Sequence, residues 1–245
     1  KETGGETLTS HFPIGVPVRK PKERPVERPE QVRMISQEAL FEVEIRCHFS
    51  DKEEAYRALP FLVSCLRHEV TWSTTIYGVE LFQSGQLLRA GETTIDSEIK
   101  YFLGAKGPDT GSFANIRQEL DEEITSDRTS SAVLEHLGGN ANVGTGKGVV
   151  EELGQLGHRG FMSLEGFNHS GYYEPQFISV KLMNCGMLKW PLLLELEKTA
   201  KSEEEAIRCE EELREVCRQF QFESRLVREE PPTLLYDALF SPGSG

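Results

Sequence analysis

Two segments at opposite ends of the chain alternate apolar and charged residues: Phe41-Glu42-Val43-Glu44-Ile45-Arg46 and Leu192-Leu193-Leu194-Glu195-Leu196-Glu197-Lys198. Alternation with a period of two is the pattern of a β-strand, in which side chains i and i+2 share a face. Glu42, Glu44 and Arg46 therefore project together, and so do Glu195 and Glu197. The first segment predicts a strand from 40 to 49. Ser50-Asp51-Lys52-Glu53 is a capping box, and it predicts a helix running to about residue 66, bent at Pro60. Strands at 69–81 and 86–90 flank a Gln83-Ser84-Gly85 turn. Strands at 98–106 and 112–124 flank Gly107-Pro108-Asp109-Thr110-Gly111, so two hairpins are expected. Ser126 is placed as the cap of a short helix over Ala132, Val133 and Leu137 that ends at Gly138. Residues 161–167, 177–182 and 192–198 read as further strands. Ser202-Glu203-Glu204-Glu205 is a second capping box, opening a helix with Ala206, Cys209, Leu213, Val216, Cys217 and Phe220 on one stripe. Many strands joined by hairpins, with helices between them, predict an antiparallel α+β domain. Closing the sheet into a barrel would remove its exposed edges.

Ahead of this domain, Pro13, Pro17, Pro21, Pro25 and Pro29 recur at every fourth position among Arg, Lys and Glu. That spacing blocks both helix and central strand. Residues 1–37 are read as a disordered, extended tail or linker, with docking to a protein partner as the alternative. The folded domain is expected at 38–240.

Composition then narrows the function. A net charge of −13 argues against a general nucleic-acid binder. No apolar run reaches the ~20 residues that span a bilayer, so no membrane segment is expected. Five cysteines without a C-x-x-C spacing indicate neither a zinc site nor a disulfide framework. Reduced, mostly buried thiols in a cytoplasmic protein are the simplest account. The chain begins with Lys1 rather than Met. It is therefore expected to be a piece of a longer polypeptide.

The charged residues on predicted strands are Glu42, Glu44, Arg46, Arg89, Lys106, Arg117, Glu119, Lys181, Glu195 and Glu197. For any single E-x-E pair, a solvated outer face is the simpler reading. Two such pairs, each flanked by apolar residues, point instead to a charged interior. Paired carboxylates on one face repel unless a shared cation neutralises them, and hard oxygen ligands suit Mg²⁺ or Mn²⁺. Arg and Lys grip polyphosphate oxygens. An interior with bases on one side and carboxylates on the other would bind a polyphosphate and a metal that activates water.

The order of these motifs resembles the CYTH superfamily of triphosphate tunnel metalloenzymes over about residues 38–240. The family's N-terminal E-x-E-x-K strand is matched by Glu42-Val43-Glu44-Ile45-Arg46, with Arg in place of Lys. Its apolar strand ending in arginine is matched by Gln86-Leu87-Leu88-Arg89, although Ala90-Gly91 stands where a second arginine often follows. Lys106 before Gly107-Pro108, and the pair Arg117 and Glu119, match its lysine and R-x-E strands. Glu195-Leu196-Glu197-Lys198 matches its late E-x-E strand, and Pro232-Thr233-Leu234-Leu235-Tyr236-Asp237-Ala238-Leu239 its C-terminal segment. Asn184 and Cys185 replace an acidic residue that often precedes the late pair, and the usual basic pair is reduced to His158-Arg159.

The resemblance implies a closed antiparallel β-barrel, or tunnel, of about eight strands with flanking helices. It implies a metal-dependent triphosphatase acting on inorganic triphosphate, a nucleoside triphosphate or thiamine triphosphate. Glu42, Glu44, Glu195 and Glu197, with Glu119 as an outer member, would ligate Mg²⁺ or Mn²⁺. Arg46, Arg89, Lys106, Arg117, Lys181 and Arg159 would hold phosphates. Glu42, Glu44, Arg46 and Lys106 would be central to catalysis. An adenylyl cyclase of the same family and a non-catalytic polyphosphate- or nucleotide-binding module are the alternatives.

Other features are read as structural. Gly144-Thr145-Gly146-Lys147-Gly148 departs from the Walker pattern at Ala141 and Gly148, and a solvated loop through Gly157 is expected. His48 is read as facing the outer layer. Asp121, Glu122 and Glu123 are read as a solvated strand end, and Glu210, Glu211 and Glu212 as a solvated helix face.

Overall fold

The computed structural model describes residues 40–125, 130–142 and 146–240. The proline-spaced tail, Ser126, Gly144 and Thr145 lie outside the described residues. The first half runs β1 (Leu40–Phe49), α1 (Lys52–Ala58), α2 (Leu62–Cys65), β2 (Leu66–Tyr77), α3 (Val79–Gln83), β3 (Leu87–Ile95), β4 (Glu98–Lys106) and β5 (Asn115–Ile124). Then come α4 (Ala132–His136), α5 (Gly146–Gln155), β6 (Gly160–Tyr173), β7 (Ile178–Asn184), β8 (Leu192–Ala200), α6 (Glu203–Phe220), β9 (Leu226–Val227) and α7 (Pro231–Phe240).

The strands lie in the order β5-β4-β3-β2-β6-β7-β8-β1, and β1 pairs with β5 to close the ring. Eight antiparallel strands thus form a barrel without free edges. β1 is the closing strand. One of its edges pairs with β8 from Phe41 to Phe49, while the other pairs with β5 over Leu40–Glu44 and then with β9 at Arg46 and Cys47.

Three apolar clusters follow from the strand alternation. Val43, Ile45 and Cys47 on β1 and Leu194 and Leu196 on β8 point outward and are buried beneath Ala206, Cys209, Leu213 and Val216 of α6. Each large aliphatic chain so buried contributes about 1.5–3 kcal/mol. On the opposite side, α4 and α5 cover the outer faces of β3, β4 and β5 through Val133, Leu134, Val149 and Leu153. Inside one end of the barrel, Ile76, Leu164 and Leu193 pack with Leu235 of α7. Both faces of β1 are therefore buried, one against a helix and one inside the barrel.

Local chemistry explains the helix ends. Asp51 accepts the Glu54 N–H at 2.7 Å while Glu54 accepts the Ser50 N–H at 2.8 Å. This is the expected reciprocal cap, moved on by one residue. Pro60 divides the expected single helix into α1 and α2 rather than bending it. Ser202 caps α6 as the sequence indicates. The short helix α4 is capped by Ser131, whose side chain accepts the Leu134 N–H. The solvated loop expected through Gly157 is instead largely α5, because Val149 and Leu153 bury against the barrel. The five cysteines are buried free thiols. Among the described residues, no helix is long and apolar enough to cross a membrane.

Candidate functional site

With Val43, Ile45 and Cys47 committed to the outer layer, Glu42, Glu44 and Arg46 must face the lumen. The antiparallel register sets Arg46 opposite Glu195 and Glu44 opposite Glu197. The two E-x-E pairs, about 150 residues apart in sequence, thus form one wall. On β7, Lys181 lies opposite Glu195. On β5, Arg117 lies opposite Glu42 and Asn115 opposite Glu44. Lys106 on β4 lies opposite Glu119 on β5.

The side chains form one connected ionic network. The Arg46 guanidinium, 2% exposed, donates from Nε to Glu195 at 2.9 Å and from Nη1 to Asn115 at 3.1 Å. It also pairs directly with Glu44 and approaches Glu230 to 3.7 Å. Lys106 pairs with Glu42 and lies 3.8 Å from Glu44 and 3.6 Å from Glu119. Arg89 donates to Glu119 at 2.9 Å and stands 3.5 Å from Asp121. Lys181 pairs with Glu197 at 2.8 Å and lies 4.0 Å from Glu195. Arg117 approaches Glu230 to 2.9 Å without hydrogen-bond alignment, and donates to the carbonyls of Gly85 and Gly107. Bases and acids are interleaved, not segregated onto opposite sides as the sequence suggested. Interleaving lowers the cost of burying each charge.

Within this network seven carboxylates meet five cations, a surplus of two negative charges. The surplus appears in the acidities. Burial lifts the Glu44 carboxyl well above the usual range, with Glu42 and Glu195 adding to the effect and Arg46 opposing it. Burial likewise pushes Glu119 up to about 7, against the pull of Lys106. Glu42 goes the other way, because Lys106 and Lys181 outweigh its burial and hold it well below the usual range. Protons on Glu44 and Glu119 are one way to neutralise the surplus, and a divalent cation is another. The carboxylate donor set suits Mg²⁺ or Mn²⁺. Among the described residues, however, no three acidic, His or Cys groups stand together as a metal cluster. Arg46 and Lys106 lie between the carboxylates, so metal entry requires these cations to give way.

These groups border a cavity of about 430 Å³. Glu42, Glu44, Arg46, Arg89, Lys106, Lys181 and Glu195 line it directly. Glu119, Glu197 and Arg117 are joined to it through Arg89, Lys181 and Glu230. Arg159 is exposed in the connection before β6 and is not brought into the cavity.

Several side chains run against the sequence reading. His48 lies two residues beyond Arg46, hence on the inner face, and stacks on Trp190 at 5.0 Å. Asp121, Glu122 and Glu123 border the cavity instead of forming a solvated strand end. Glu122 also accepts the Ala132 N–H at the start of α4. Glu210 is buried and accepts the backbone N–H groups of Ser112, Phe113 and Ala114 at 2.6–3.0 Å. Glu230, Asn115 and Asp109 were missed altogether. Asp109 accepts from Asn115 Nδ2 at 2.8 Å and from Arg228 at 2.7 Å, which orients the amide that receives Arg46. The one signal for Glu230 was its place directly before Pro231-Pro232, a helix-opening position.

No protein-family model and no curated protein matches the sequence. Solved structures do match the fold. The PH1819 protein from Pyrococcus horikoshii superposes with a TM-score of 0.63 at 17% identity, covering 80% of this chain and 99% of that one. A Vibrio parahaemolyticus protein provisionally named adenylate cyclase gives 0.56 at 15% identity, with 80% and 97% covered. A provisionally named adenylyl cyclase from Hippeastrum, HpAC1, described as revealing a dominant triphosphatase activity, gives 0.51 at 13% identity, with 83% and 98% covered. The closed barrel implied by the resemblance to the CYTH superfamily is the fold observed.

Proposed function

We propose that the barrel binds a triphosphate together with Mg²⁺ or Mn²⁺ and hydrolyses a phosphoanhydride bond. The supporting observation is the buried network, in which five cations and seven carboxylates surround one cavity. The order of the motifs, and a fold shared with a protein described as a triphosphatase, point the same way. Lys106, Arg89 and Lys181 exchange carboxylate partners for phosphate oxygens, with Arg117 bracing them through Glu230. These are charge-assisted contacts, strongest in a desolvated site. Glu42, Glu44, Glu195 and Glu197 hold the metal, and Glu119 stands at their margin. Bound there, a divalent ion would offset phosphate charge and lower the pKa of water. Glu119 is poised to hold or release a proton near neutral pH.

A second reading, a non-catalytic polyphosphate-binding module, is favoured by Arg46. Its guanidinium already bridges Glu44 and Glu195, the carboxylates that would share the ion. A third, attack by a ribose hydroxyl to form a cyclic nucleotide, rests on the cyclase names of two fold relatives. Incubation with ATP or inorganic triphosphate and Mg²⁺, followed by product analysis, separates them. Released phosphate is the expected result. Cyclic AMP would replace the hydrolase reading with the cyclase, and binding without turnover would leave the module.

A further inference from the structure

We infer that the substrate of this tunnel is a triphosphate ester bearing a planar aromatic heterocycle, not inorganic triphosphate. The inference rests on the triphosphate reading above and assigns the other half of the same cavity. Beyond the ionic network, the lumen wall formed by β2, β3, β4 and β6 is aromatic and apolar. Trp72 and Phe102 both border the cavity and are only partly buried.

The backbone is shaped around these two rings. The indole of Trp72 lies across Gly166 on the neighbouring strand, where any side chain would collide with it. Phe102 lies over Gly91 in the same way, with its Cζ 3.0 Å from where a Cβ would stand. Trp72 Nε1 donates to Asn168 Oδ1 at 2.7 Å, which fixes the ring and leaves the Asn168 amide nitrogen as a donor at the cavity wall. Apolar surface held toward a polar cavity gains nothing from a ligand made only of phosphate. It gains from a flat π-system.

The two halves meet at Arg89. Its guanidinium carbon sits 5.6 Å from the Phe102 ring centroid while the same group reaches Glu119. A phosphate chain held at Arg89 and Lys106 therefore continues directly onto the aromatic wall. The volume of about 430 Å³ is within the range for organic ligands of drug size.

The chain has two tryptophans, so a Trp190→Phe variant leaves Trp72 as the only indole emitter. Stopped-flow mixing of that variant with ATP, thiamine triphosphate or inorganic triphosphate, each with Mg²⁺, reads the indole before turnover. The expected result is quenching by ATP, thiamine triphosphate or both, and none by inorganic triphosphate. The ester that quenches identifies the heterocycle. In calorimetry, Trp72→Ala should weaken that ester by about tenfold to a hundredfold and inorganic triphosphate by no more than about twofold. Trp72→Phe, which keeps a ring, should retain most of the affinity and show whether the alanine variant merely lost its fold. Equal affinity for ester and inorganic triphosphate, with no quench, overturns the inference and leaves the triphosphate reading standing. Binding of no triphosphate at all overturns both.

Discussion

Replacing Arg46 by Met removes the guanidinium that joins both E-x-E strands while keeping much of its volume. Three buried carboxylates lose a partner, namely Glu44, Glu195 and Glu230. Removing one side of a buried ion pair costs about 3–5 kcal/mol. The lower end applies here, because each carboxylate keeps a second cation. Lys106 remains 3.8 Å from Glu44, Lys181 4.0 Å from Glu195 and Arg117 2.9 Å from Glu230. A loss of about 3 kcal/mol lowers the melting temperature of a domain this size by roughly 6–12 °C. The surplus of carboxylates over cations also rises by one, so Mg²⁺ should raise the variant's melting temperature more than the parent's. The penalty should shrink as pH falls. Without Arg46, the carboxyls at 44, 195 and 230 bind protons more tightly folded than unfolded, so acid restores stability. Thermal melts across pH, with and without Mg²⁺, test all three points. A variant melting within about 2 °C of the parent at neutral pH, with no added response to Mg²⁺, would refute the claim that Arg46 neutralises this wall.

Glu119 has a folded pKa of about 7, raised by burial above its unfolded value, so it favours the fold at low pH and loses that advantage as pH rises from about 4.5 to 7. Glu119→Gln should therefore flatten the decline of stability across that window in pH-dependent denaturant titrations. Glu210→Ala removes a buried acceptor of three backbone N–H groups and should cost at least about 2 kcal/mol. Hydrogen exchange should then accelerate at the amides of Ser112, Phe113 and Ala114, whereas Glu211→Ala, on the exposed face of α6, should leave both melting and exchange unchanged. Glu44→Ala and Glu197→Ala should each abolish turnover, and their combination should cost little more, since residues acting on one ion are non-additive. Lys106→Ala should weaken triphosphate binding as well as rate, as separate KM and kcat measurements would show.

By itself the sequence determined the strand periodicity, the caps and the two charged runs. Those are local properties, set by side-chain alternation along β1 and β8 and by Ser and Asp at helix starts. It also determined that Glu42, Glu44 and Arg46 share a face, since a period of two leaves no choice once the strand forms. Tertiary structure alone decided the rest. The pairing register put Arg46 opposite Glu195 and Glu44 opposite Glu197, contacts between residues far apart in the chain that no local pattern encodes. Closure through β5 brought Lys106 and Asn115 to the same wall, and α7 delivered Glu230 from the far end of the chain. Burial then divided residues that look alike in sequence. Glu210 and Glu211 are neighbours on one helix, yet one binds a buried loop and the other faces water, because only the packed fold says which side of α6 meets the barrel. Arg159 and Arg89 are equally basic, yet only Arg89 lies on a strand whose inward face reaches the cavity.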